Sequence, residues 1–98
     1  MTFYIQNLEK FSTSSSPIQR LNLAGNNLTK IGHLMPLKKL KYLHQLDLRD
    51  NALCEIDDYR ELIIFLLPKL TLLDGVEVTP EDTVQAVNLF QVILSAKH

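Results

Sequence analysis

Apolar residues recur along this chain with a long, fixed period. Ile18, Leu21, Leu23, Leu28 and Ile31 are followed by Leu43, Leu46, Leu48, Leu53 and Ile56, each displaced by 25 residues. Asn26 and Asn51 keep the same step. A period of roughly 20–29 residues belongs to solenoids in which each unit contributes one short strand. Leu21-x-Leu23 and Leu46-x-Leu48 alternate as a strand does, with the leucines turned to the core. Successive strands then lie parallel in one sheet. Asn26 and Asn51 fall where the chain leaves the strand, and a buried amide there can both donate to and accept from loop backbone, including that of the neighbouring unit. Two exposed turn asparagines would not require six positions to repeat in step.

Between the two segments, apolar residues fall at Leu34, Leu37, Leu40 and Leu43. A spacing of three predicts a 3₁₀ or short helical stretch with one buried ridge, and Pro36 argues against a long regular α-helix through it. The C-terminal third has another pattern. Asp57-Asp58 precedes Tyr59–Leu67, which reads as an aspartate-capped helix stopped by Pro68. Leu67–Gly75 reads as a third short strand entering a turn. Thr79-Pro80-Glu81-Asp82 is a helix start, with Thr79 as cap, Pro80 in the first turn and two acids at the positive end of the dipole. The final helix is predicted from Pro80 to near Ala96. On it Val84, Val87 and Leu94 form one stripe, and Ala86, Leu89, Phe90 and Ile93 an adjoining one. Together they cover more circumference than packing on one surface requires, which leaves room for self-association through this helix.

The pattern L-x-x-L-x-L-x-x-N-x-L, carried by Leu21, Leu23 and Asn26 and by Leu46, Leu48 and Asn51, resembles leucine-rich repeats over roughly residues 18 to 75. The fold this implies is α/β: a short leucine-rich-repeat solenoid with parallel strands on the concave face, helical or 3₁₀ convex segments and a C-terminal helical cap. Tyr59-Arg60 with Leu67-Pro68-x-Leu70-x-x-Leu73-Asp74-Gly75 resembles the cap that closes intracellular repeat proteins such as the acidic nuclear phosphoproteins, the spliceosomal A-prime protein and many ciliary or centrosomal ones. The tail, Val78–Phe90, resembles the repeat domain of the leucine-rich-repeat and guanylate-kinase protein and its flagellar relatives. No phosphate-binding loop accompanies it. Three regions follow: residues 1–17, an N-terminal cap or degraded repeat with a Ser-rich loop at Ser12–Pro17; residues 18–56, two repeats; and residues 57–98, the cap with its final helix. Two repeats are fewer than such arrays generally need. The chain is then a fragment, a short isoform, the end of a larger array, or a unit covered by its own N-terminal segment.

Composition narrows the function. With 46% hydrophobic and 21% charged residues among 98, the chain is one folding domain. A net charge of -1 supports no general attraction to nucleic acid or anionic membrane, so direct nucleic-acid and membrane binding are not expected. Cys54 is the sole cysteine, which fits a reducing compartment. Cytoplasmic residence is the default, cytoskeletal or ciliary on the tail resemblance, with the nucleus as the alternative. Catalytic chemistry has no foothold. His33, His44 and His98 are scattered and read as surface histidines; Cys54 has no identifiable base and reads as a half-buried small residue; three glycines form no nucleotide loop. No cofactor, no metal and no enzymatic activity are expected. Lys30, Lys38, Lys39 and Lys41 read as a solvated convex face.

The concave sheet face is the expected working surface. Arg20, Asn22 and Ala24 flank the first pair of core leucines, and Gln45, Asp47 and Arg49 the second; Lys69 and Thr71 extend the row. Equivalent positions on stacked strands lie about 4.8 Å apart, and arginines offer planar contacts with Asp47 as countercharge. The partner-binding set is therefore Arg20, Asn22, Gln45, Asp47, Arg49 and Thr71, and the function expected is that of an intracellular protein-interaction module, adaptor or scaffold, with cytoskeletal or ciliary work in view. The alternative is a nuclear or ribonucleoprotein component acting through a protein partner.

Overall fold

A computed structural model describes residues 17–96, with side chains to residue 91. The expected N-terminal cap lies outside the described residues save for Pro17, and so do the side chains of Ile93 and Leu94. The elements run in order as β1 (Arg20–Asn22), a 3₁₀ helix (Ile31–Lys39), β2 (Gln45–Asp47), a 3₁₀ turn (Ala52–Glu55), α1 (Tyr59–Leu66), β3 (Leu72–Leu73), β4 (Val76–Glu77) and α2 (Pro80–Ala96). The sheet order is β1-β2-β3-β4. The first three strands are parallel, as the repeat predicts, with Leu21 opposite Leu46 and Leu46 opposite Leu73. The ladder runs past the strand ends: the N–H of Leu23 donates to the Asp47 carbonyl at 2.8 Å, and that of Gly25 to the Arg49 carbonyl at 3.0 Å.

The predicted ridge is the core. Leu34, Leu37, Leu40 and Leu43 are buried on one side, facing Leu21, Leu23, Leu46 and Leu48 from the strands. The stretch is 3₁₀, with Pro36 inside it, as the spacing of three requires. Asn51 closes the stack. Its Oδ1 accepts the N–H groups of Asn26 and Leu28, both at 2.9 Å, and its Nδ2 donates to the carbonyls of Leu23 and Leu48 at 3.0 and 2.8 Å. One buried amide thus satisfies backbone groups in two repeats. Asn26 likewise donates to its own repeat, at Leu23 and Ala24. Gly25 and Asp50, one period apart, both take positive φ (69° and 62°), so the repeat extends to the backbone turn.

Two expectations in the C-terminal third are corrected. Asp58 precedes α1, but in left-handed conformation and with no side-chain hydrogen bond to the helix; the aspartate turns the chain rather than capping it. The predicted third strand is only two residues long, and it folds back on β4, a strand the hydrophobic pattern did not show. Asp74 and Gly75 (φ 54° and 80°) form the two-residue connection, in the positive-φ pair that tight hairpins demand. Outside that third, the two described histidines are only partly exposed. His33 and His44 are both half-buried, and His33 Nδ1 is buried with no hydrogen-bond partner among the described residues.

The last helix begins as predicted. Thr79 Oγ1 accepts the Asp82 N–H at 3.1 Å, and Asp82 Oδ2 accepts the Thr79 N–H at 3.0 Å, a reciprocal cap. Ala86 is buried, and Phe90 rests on Phe65 of α1 with ring centroids 5.4 Å apart. Val84, on the other stripe, is exposed. Among the described residues no helix is long and apolar enough to cross a membrane.

Candidate functional site

The strand register decides what the concave face presents. Arg20 pairs with Gln45, and Asn22 with Asp47. These four lie in two rows across β1 and β2, between the buried leucines, as the alternation predicts. The third strand is offset by 27 residues rather than 25: Leu73 lies opposite Leu46, and Leu72 opposite Gln45. Leu70 therefore takes the place of Leu43, and the next outward position falls to Leu72. Thr71 lies one step off the row, where its N–H and hydroxyl bond to the His44 carbonyl at 2.7 and 3.2 Å. Lys69 falls in the turn before it. Neither extends the row; half-buried Leu72 does.

Arg20, Asn22, Gln45, Asp47, Arg49, Leu72 and Gly75 line a shallow depression of about 240 Å³. Its groups are not equally available. Asp47 Oδ1 accepts the Arg49 N–H at 3.1 Å and the Arg49 Nε–H at 3.0 Å, and its Oδ2 takes the guanidinium as well. Asp47 is thus occupied by its own neighbour. The side-chain hydrogen bond to Arg49 holds its carboxyl below the ordinary carboxylate range, against the opposing effect of burial. Arg49 lies over Gly75, where an added Cβ would sit 3.6 Å from its Nη1. Asn22 Oδ1 accepts the Ala24 N–H at 2.9 Å, the counterpart of the Asp47–Arg49 turn one repeat later. What remains without a partner among the described residues is a set of donors and amides: the Arg20 guanidinium, the Asn22 NH₂ and the Gln45 amide.

A wider, more open depression of about 560 Å³ adjoins this one, lined by Asn22, Ala24, Asp47, Arg49, Asp50, Cys54, Tyr59 and Asp74. Here the cap is fastened to the sheet. The Tyr59 hydroxyl donates to Asp74 Oδ2 at 2.7 Å, while Asp74 Oδ1 accepts the Leu48 N–H at 2.7 Å. Arg60 donates to the carbonyls of Leu73 and Glu77 at 3.3 and 3.0 Å and pairs with Asp82 at 3.5 Å. Cys54 Sγ donates to the Leu48 carbonyl at 3.0 Å and is half-buried. These groups are spent on structure. Among the described residues no cluster of His, Cys, Asp or Glu is placed to hold a metal. The hairpin that fixes Asp74 was missed in the sequence, although Asp-Gly between Leu-Leu and Val-Glu is its signal.

Known proteins place the chain. A leucine-rich-repeat family model matches residues 5–97. The chain is 40% identical over 72 residues to acidic leucine-rich nuclear phosphoprotein 32 family member A of Drosophila pseudoobscura and of Drosophila melanogaster, covering 74% of this chain in both cases and 27% and 28% of those proteins. It therefore spans under a third of the length of these curated relatives. Among solved structures it is similar to a chain in the crystal structure of the Drosophila melanogaster SNF/U2A′ complex (TM-score 0.73, 27% identity), covering 81% of this chain and 48% of that one. It is also similar to the Mex67 leucine-rich-repeat domain of Chaetomium thermophilum (TM-score 0.58, 28% identity), covering 69% and 46%.

Proposed function

We propose that this chain, which belongs to the leucine-rich-repeat family, is a protein-interaction module whose concave face holds a segment of a partner protein, and that it works in the nucleus. The observation that carries the binding reading is the row of unsatisfied donors on the concave face. Arg20, Asn22 and Gln45 stand on rigid, hydrogen-bonded strands, and a solenoid gains nothing internally by displaying them there. Leu72 adds apolar contact beside them. Asp47 and Arg49, closed on each other, form one wall of the site and present little net charge to a partner.

This arrangement favours a partner segment rich in acceptors, with carboxylates or free carbonyls facing Arg20 and the two amides. The adaptor reading expected from the sequence is kept. Its cytoskeletal or ciliary setting gives way to the nuclear alternative, because the names of the relatives are nuclear and one structural neighbour comes from the SNF/U2A′ complex.

Affinity purification from nuclear and from cytoplasmic extract tests both halves of the proposal, with the chain compared to an Arg20→Glu/Gln45→Ala variant. A protein recovered from nuclear extract by the chain, and lost with the variant while the circular-dichroism spectrum is unchanged, supports it. Equal recovery by the variant removes the concave-face assignment. Recovery from cytoplasmic extract alone removes the nuclear one.

A further inference from the structure

The lysines of this chain are placed unevenly about the sheet. Lys38, Lys39 and Lys41 lie just before β2 and Lys69 just before β3, whereas Asp50, Glu55, Asp57 and Asp58 follow β2. The stretches entering β2 and β3 are therefore basic, and the stretch leaving β2 is net acidic despite Arg49. The structure also shows why Lys69 joins a cluster from which sequence distance separates it. Lys41-Tyr42 and Pro68-Lys69 are equivalent turns of adjacent repeats, offset by the same 27 residues as the Leu46–Leu73 pairing. Both are closed by the same bond, Leu43 N–H to the Leu40 carbonyl at 3.4 Å and Leu70 N–H to the Leu67 carbonyl at 3.2 Å.

A groove of about 200 Å³ opens at these stacked turns. Leu37, Leu40 and Leu43 line it from one repeat, and Leu66, Leu67 and Pro68 from the next, with Lys38 and Lys69 on its rim. Tyr42, in the neighbouring turn, is 57% exposed. An apolar floor gives no hydrogen bonds to nucleobase edges, and one tyrosine is a poor stacking platform, so lysines around such a floor do not describe a nucleic-acid site. They do match a peptide that is apolar at its centre and acidic at its flanks, because each part then meets its complement.

We propose that this groove is a second docking surface, distinct from the concave face, which takes an acidic segment of a partner protein by inserting one large apolar side chain between the two turns and setting carboxylates against Lys38 and Lys69. The two surfaces share no lining residue, so occupancy of one does not require the groups of the other.

The test uses the full chain and a short fluorescent synthetic peptide with a Leu-Phe centre and Asp/Glu flanks, read by anisotropy and by amide chemical shifts. Saturable binding with shifts in the Leu40–Leu43 and Leu66–Leu70 turns is expected. Lys38→Glu/Lys69→Glu, both exposed and off the core, should weaken it about fivefold or more, and raising salt toward 0.2 M should weaken it several-fold. Arg20→Glu on the concave face should leave it unchanged, so failure here and failure of the concave-face reading are distinguishable. The proposal is overturned by absence of saturable binding, by equal binding of a Lys-flanked or Ser-centred peptide, by shifts confined to the concave strands, or by a single-stranded RNA that binds the same turns more tightly than the peptide.

Discussion

Tyr59 and Asp74 join the cap to the repeats through a single carboxylate. The phenol takes one oxygen at 2.7 Å and the Leu48 N–H takes the other at 2.7 Å. In the preceding repeat the corresponding N–H, that of Leu23, donates to the backbone carbonyl of Asp47. At Asp74 the chain turns away into the hairpin, and the side chain supplies the acceptor in place of the carbonyl. Asp74→Ala leaves a buried N–H and a half-buried hydroxyl unpaired, and about 2–4 kcal/mol of stability should be lost. Tyr59→Phe removes only one donor and should cost about 1 kcal/mol. Urea unfolding of the two variants measures this, and equal losses would break the account.

The same pair predicts an alkaline effect. Burial, then the bond to Asp74, raises the Tyr59 pKa far above its ordinary value. A raised folded pKa means the stabilisation is complete below the unfolded value near 10 and declines as pH rises beyond it, by at most about 1.4 kcal/mol per pH unit. Stability of the native chain should therefore fall more steeply above pH 10 than that of Tyr59→Phe. Parallel slopes in urea titrations at pH 9 to 11 would contradict the placement.

Asn51 is the residue whose loss should cost most for its size. Asn51→Ala removes the buried acceptor of the Asn26 and Leu28 N–H groups and takes one of the donors from each of the Leu23 and Leu48 carbonyls. A loss of about 3–5 kcal/mol is expected, enough to lower the melting temperature of a small domain by roughly 12 °C or more. Differential scanning calorimetry reads it directly.

Thr79→Ala should cost about 1 kcal/mol, as a helix cap does. Its partner Asp82 titrates below the ordinary range, chiefly because it accepts the Thr79 N–H. A depressed folded pKa gives stability that is present above the unfolded value near 4 and lost as pH falls through the folded value. Asp82→Asn should flatten the acid limb of the stability profile between about pH 4 and pH 2, as thermal melts across that range would show.

The repeats were legible because a core that stacks at a constant step writes that step into the sequence: Leu21, Leu23 and Asn26 return as Leu46, Leu48 and Asn51. The concave row on β1 and β2 followed from alternation alone. The third rung was not legible in the same way. The stretch from β2 to β3 is two residues longer, so Leu72 lies opposite Gln45 where a step of 25 would have set it opposite Asp47. Thr71 is off the outward row at either step, since strand alternation is unchanged by a shift of two. Nor could periodicity show that Asp47 and Arg49 satisfy each other rather than a partner, since spacing fixes which face a side chain takes but not where its charge goes. The hairpin escaped because two-residue strands carry no periodicity, and only the Asp74-Gly75 pair marks it.

The central claim, that the concave row receives a partner protein, is tested most directly by site-specific photocrosslinking. A photoreactive residue is placed at Gln45, in the row, or at Glu81, exposed on α2, and the chain is irradiated in nuclear extract. A discrete protein adduct from position 45, absent from position 81 and reduced by Arg20→Glu, is the predicted result. No adduct at 45, or the same adducts at both positions, would contradict it.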